Sequence, residues 1–294
     1  MKRFIFFSLF FVAMVSAHAA ITVRDDAGAT VSLPQPAKRV VSLAPHVTEM
    51  LFAAGGGERI VGVVSNSDYP AAASGIARVG DHHRIDLERV VALKPDLLVV
   101  WLHGSAARQI DALRKLGIPL FYSEPHRLDD IPDSVIRLGQ LMGTEQPSLV
   151  AATALRKQLA ALASRYRDRP AVRVFYQVWE RPLYTLSGRH IVSDAIRLCG
   201  GENIFASLSV TAPTVGIESV LLENPEAIIS ANTRDKAGNG LEYWKQYSAL
   251  TAARRGNLFT VDADLINRAG PRMIDGAAAL CARLEEARAR RGER

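Results

Sequence analysis

Histidines and aromatic rings are the residues in this chain with chemistry to offer, and neither set falls into a catalytic pattern. His82 and His83 are adjacent, a spacing at which side chains diverge in most backbone conformations. His46, His103, His126 and His190 stand singly, and no two share the helical step that puts two imidazoles on one face. A zinc receptor therefore requires loops that gather them. There is no Gly-x-Ser-x-Gly elbow, no His-Glu-x-x-His, and no glycine loop ending in Lys-Ser or Lys-Thr. Gly200-Gly201 follows a helical pattern instead of opening one, so it reads as a helix stop. A secreted metal-dependent hydrolase would need an activated nucleophile or metal constellation that is missing, so the chain is expected to bind without reacting, with no resident cofactor. Trp101, Trp179, Tyr69 and Tyr184 are flat apolar rings that suit a large planar ligand or pack beneath loops. Arg268 is placed either to contact polar groups of a ligand or to pair with Asp264.

These residues follow apolar runs, and the runs alternate with helical patterns. Residues 39–44 read as a buried strand ending at Pro45-His46, with a helix from Thr48 to the glycines at 55–57. Residues 60–65 form a strand ending in Asn66 to Tyr69, and Asp86 caps a helix to Leu93. Residues 97–100 deliver Trp101, a helix covers 106–116 and a strand 119–123. Further on, 172–178 delivers Trp179 and Glu180, and a helix carries Cys199. Residues 200–213 read as a loop, 227–230 and 258–261 as strands, and 273–288 as the last helix. Such alternation predicts βαβ units in an α/β fold with mainly parallel sheets, preceded by a short hairpin over 21–33. In open α/β sheets ligands sit beyond the carboxyl ends of the strands.

A long amphipathic helix over 148–167 divides the chain, with Leu155, Leu159, Leu162 and Tyr166 on one face and Pro147 in its first turn. Across it the sequence repeats. Residues 86–100 align without a gap on 216–230, pairing Glu88 with Glu218, Val90 with Val220 and Pro95 with Pro225; residues 38–42 echo 172–176. The economical arrangement is a leader over 1–20, a lobe over 21–144, an interdomain helix over 145–169 and a second lobe over 170–294.

Lys2 and Arg3, the apolar run 4–15 and Ala17-His18-Ala19 have the layout of a cleaved export signal, with cleavage near Ala19 or Ala20 and a periplasmic destination. Its removal lowers the formal charge from +6 to +4, too mild an excess to call for nucleic acid. Cys199 and Cys281 are the only cysteines, and outside a reducing compartment they are expected to pair.

Residues 39–49 (Arg-Val-Val-Ser-Leu-Ala-Pro-His-Val-Thr-Glu), Ser67-Asp-Tyr-Pro70, residues 87–97, Arg108-Gln109, Cys199-Gly-Gly-Glu-Asn-Ile-Phe205 and Arg268-Ala-Gly-Pro-Arg272 resemble the helix-strutted periplasmic receptors for metal chelates, and among them the cobalamin receptors of ABC importers. The motifs occur in order over nearly the whole mature chain. The resemblance implies two nitrogenase-like (Rossmann-like) lobes joined by a rigid helix, with the ligand in the cleft between them, and a Cys199–Cys281 disulfide. It implies a monomer that hands its cargo to an inner-membrane permease dimer with its ATPase, and it makes Glu88 and Glu218 the carboxylates that dock on permease arginines. Taken with strand-end position, it places the ligand contacts at Pro45, His46, Asn66, Tyr69, His82, Trp101, Tyr184, Asp264, Asn267 and Arg268. Trp101, Arg268 and Asp264 match positions lining the family's cobalamin pocket, and Tyr184 stands where another aromatic is usual. Asn66, His82, Ala212 and Asn267 replace a Tyr, two Trp and a Glu. The cargo is thus expected to be cobalamin or a related corrinoid, with haem or an iron siderophore as the alternative, for which His82 is an axial-ligand candidate.

Overall fold

The computed structural model describes residues 20–81, 84–103, 107–232 and 240–292, so almost all of the expected leader lies outside the described residues. The chain opens with the antiparallel hairpin β1 (Ile21–Arg24) and β2 (Thr30–Leu33). A first βα series follows: β3 (Val40–Ser42), α1 (Pro45–Ala53), β4 (Ile60–Val63), α2 (Leu87–Ala92), β5 (Leu97–Trp101), α3 (Ala107–Arg114) and β6 (Leu120–Ser123). Two helices, α4 (Asp130–Met142) and α5 (Glu145–Tyr166), lead to the second series. That series runs through β7 (Val172–Gln177), a small hairpin of β8 (Trp179–Glu180) and β9 (Leu183–Tyr184), α6 (Ile191–Leu198), β10 (Gly201–Asn203), α7 (Ile217–Glu223), β11 (Ala227–Asn232), α8 (Thr251–Arg254), β12 (Leu258–Asp262), α9 (Ala263–Ile266) and α10 (Met273–Ala289).

Each series builds one four-stranded parallel sheet, and the two orders match. The first is β4-β3-β5-β6 and the second β10-β7-β11-β12, so in both the strand that enters first lies second, flanked by the second and third to arrive. The sequence echoes fall on equivalent elements: 38–42 and 172–176 on β3 and β7, 86–100 and 216–230 on α2–β5 and α7–β11. Val90 and Val220 are the buried anchors of the two short helices. Strand residues alternate between two apolar layers, Val40, Leu97 and Val99 on one face of the first sheet and Val41, Leu98 and Val100 on the other. The second sheet does the same, with Val174, Tyr176 and Ile229 opposite Phe175 and Ile228.

α5 belongs to both cores. Ala151 packs on the first, Leu159 and Tyr166 are buried in the second, and Leu155 touches both. α4, which the sequence reading leaves out, supports it: Val135, Leu138 and Leu141 face the first core while Ile131 reaches the second. Gly139 allows the two helices to meet, since a Cβ there would overlap the Ser148 hydroxyl.

Three expectations shift. α1 begins at Pro45, not Thr48, because the fixed φ of proline suits the first helical position; Pro45 and His46 therefore lie in its first turn. α5 begins at Glu145, three residues before the helical pattern expected over 148–167. Residues 201–203, read as loop, form β10, held by backbone pairing to β7. Cys199, at the end of α6, is bonded to Cys281 in α10, and both are fully buried.

Candidate functional site

A cavity of about 310 Å³ opens between the two sheets, lined from the first by His46, Trp101, His103, Glu124 and His126 and from the second by Arg189, His190 and Asn267, among others. The strand ends and the helix starts beyond them supply its wall. β5 ends at Trp101, which stands edge to face with His46, ring centroids 5.5 Å apart. His46 is buried in the first turn of α1. Burial lowers its pKa to about 4; a hydrogen bond with the Ser123 backbone opposes this, and the Arg268 charge adds to it. The ring is therefore neutral at neutral pH, and its Nε2 is buried without a hydrogen-bond partner among the described residues.

His190 caps α6: its Nδ1 accepts from the Val192 N–H at 3.2 Å. Burial, then the nearby His126, lowers its pKa to about 4 as well. Glu124 receives the backbone N–H of His103 at 3.1 Å and faces its Nδ1 at 3.3 Å. Helix starts and loops thus bring four histidines to one cavity, which no spacing in the sequence announced. Even so, among the described residues no three His, Cys, Asp or Glu side chains are placed to hold a metal ion.

Beside the cavity an ionic cluster ties the two halves together. Glu49 of α1, its side chain 1% exposed, accepts from Arg272 Nε at 3.0 Å and Nη2 at 2.6 Å, and from Arg268 Nη1 at 3.2 Å. Arg268 also pairs with Asp68 at 2.7 Å and with Asp264 at 3.0 Å. For Asp68, burial would raise the pKa, but the hydrogen bond and charge of Arg268 outweigh it and lower the value. The Arg272 guanidinium lies 4.0 Å from the centre of the Tyr69 ring. Gly270 lets this loop approach α1, since a Cβ there would come within 3.2 Å of the His46 carbonyl oxygen.

Of the expected contacts, His46, Trp101 and Asn267 line the cavity. Arg268 and Asp264 belong to the ionic cluster and pair with each other. Tyr69 is exposed with Arg272 over its ring, and Asn66 is exposed in a left-handed turn at φ 63°. Pro45 is half-buried, and Tyr184 pairs across its hairpin with Trp179. His82 and His83 lie outside the described residues. The sequence reading missed Glu49 and Arg189. The first was visible only as a motif residue; the second carried no pattern. Glu88 and Glu218 are exposed at the second position of α2 and α7, on the same turn of equivalent helices.

A groove of about 630 Å³ elsewhere on the first half is rich in carboxylates, but they are engaged. Asp25 accepts from the Ala29 and Tyr122 N–H groups, Asp26 pairs with Arg137, and Asp133 pairs with Arg156. The cavity between the sheets is the better candidate.

The model of the family described as periplasmic binding protein matches residues 40–265. The vitamin B12-binding protein of Vibrio cholerae serotype O1 (strain ATCC 39541) is 36% identical over 252 residues, 86% of this chain and 91% of that one. The crystal structure of the periplasmic vitamin B12 binding protein of Vibrio cholerae superposes with a TM-score of 0.79 at 35% identity, covering 86% of this chain and 98% of that one. A periplasmic haem binding protein from Pseudomonas aeruginosa superposes with a TM-score of 0.70 at 25% identity, covering 84% and 92%.

Proposed function

The chain belongs to the periplasmic binding protein family, and from that premise we propose that it captures cobalamin or a related corrinoid between its two sheets and delivers it to an inner-membrane ABC importer. The observation that carries this reading is the cavity lined from both halves by His46, Trp101 and Asn267, in a chain 36% identical to a vitamin B12-binding protein. Residues 1–20 act as the export signal, and 21–144, 145–169 and 170–294 as first lobe, strut and second lobe. Trp101 supplies a flat apolar wall for the ring, while Asn267 and the polar rim of Asp68, Asp264 and Arg268 meet its amide periphery. Glu88 and Glu218 dock on the permease dimer, whose ATPase drives release, and the receptor works as a monomer without turning over its cargo. Calorimetric titration with cyanocobalamin and, separately, haemin tests the reading: saturable one-to-one binding of cyanocobalamin is expected. Binding of haemin alone would replace it with the second reading, a haem receptor, which the four histidines around the cavity favour.

A further inference from the structure

Arg189 is the only arginine or lysine among the described residues that line the cavity. It is exposed there, and its guanidinium makes no hydrogen bond or ion pair with any described residue. The neighbouring cations are spent: Arg268 and Arg272 are held by Glu49, Asp68 and Asp264. Glu124, the cavity's carboxylate, is turned to His103 rather than to Arg189. The next residue adds a second donor. Because the Val192 N–H donates to His190 Nδ1, the ring proton of neutral His190 sits on Nε2, which has no partner among the described residues.

Bulk water is able to solvate both groups while the cavity is open. A cargo that fills it strips that water, and an uncharged group against Arg189 would leave a guanidinium desolvated and unpaired, which is costly. An anion there takes two N–H groups from the planar fork and one from His190. We propose that Arg189, with His190, forms an anion subsite that binds a phosphodiester or carboxylate of the cargo and so fixes which way round it sits. This rests on the corrinoid reading above, in which the anion is the phosphodiester of the nucleotide loop; in a haem it would be a propionate.

The test is calorimetry on the full mature receptor and its Arg189→Gln and Arg189→Lys variants, with cyanocobalamin and with dicyanocobinamide, which lacks the phosphodiester. Arg189→Gln is expected to weaken cyanocobalamin roughly tenfold, as for a lost charge-assisted hydrogen bond, and to leave dicyanocobinamide unchanged; Arg189→Lys recovers part of the loss. Equal weakening of both corrinoids, or of neither, while the unsubstituted receptor binds cyanocobalamin, overturns the subsite and leaves the corrinoid reading standing. If that receptor binds neither corrinoid, the corrinoid reading is what fails, and haemin and its dimethyl ester take their place. A preference for haemin that Arg189→Gln abolishes then supports the subsite with a carboxylate, and a preference that survives overturns it.

Discussion

Glu49 is nearly dry and holds two guanidiniums that arrive more than two hundred residues later in the chain. Breaking a buried pair from one side leaves the other charge uncompensated, so Glu49→Ala should cost about 3–5 kcal/mol, read from the shift in urea midpoint. The weaker Glu49→Gln variant keeps the volume and one acceptor and should fall between. His46 carries a second expectation, in pH. Its folded pKa is about 4 against an ordinary 6.5. Above pH 6.5 both states leave it neutral; between pH 6.5 and 4 only the unfolded chain takes up the proton. Stability should therefore fall across that window by up to about 3 kcal/mol from this residue, with His190 acting in the same direction. Thermal melts at stepped pH check it, and His46→Gln should flatten the slope. Sequence alone exposed His46 because it follows a strand, but not Glu49. An acid in a helix looks solvated until the arginines that neutralise it are known, and those belong to the other half.

The elements that were legible in the sequence are those whose own residues determine them. β3, β5, β7 and β11 are apolar runs, Asp86 caps α2 by accepting the Arg89 N–H at 3.1 Å, and α5 shows its stripe. β10 was not legible because Gly201-Glu-Asn has no apolar alternation; its place is fixed by hydrogen bonds to β7. α4 carries Ile131, Val135, Leu138 and Leu141 at helical steps, yet Pro132 and Gly139 look like breaks until Pro132 is seen in the first turn and Gly139 against Ser148. The end of α6 and the middle of α10 are joined by the Cys199–Cys281 bond, between residues 82 apart in sequence. On the loop-entropy account that link is worth about 4 kcal/mol. Replacing both cysteines with serine should lower the urea midpoint accordingly, while cargo affinity, set between the sheets and away from this bond, stays within about twofold.

At the scale of the molecule, the repeat makes a prediction that neither half makes alone. α2 and α7 occupy equivalent places beside equivalent strands, each pinned by a buried valine and each displaying a glutamate at its second position. A partner that is itself a two-fold dimer offers two copies of one surface, and a receptor with matched carboxylates on its two halves can engage both at once. Two attachments act as one ligand with a high effective concentration, so either alone holds weakly. Reversing one charge, Glu88→Arg or Glu218→Arg, should therefore cut uptake by about tenfold, and reversing both should abolish it. Neither glutamate lines the cavity, so the affinity for cyanocobalamin in solution should not change. Uptake measured in cells carrying the cognate importer, beside calorimetry on the same variants, separates docking from capture. Normal uptake by the double variant would remove the docking role, and a matching loss of affinity would place the defect in the cargo site instead.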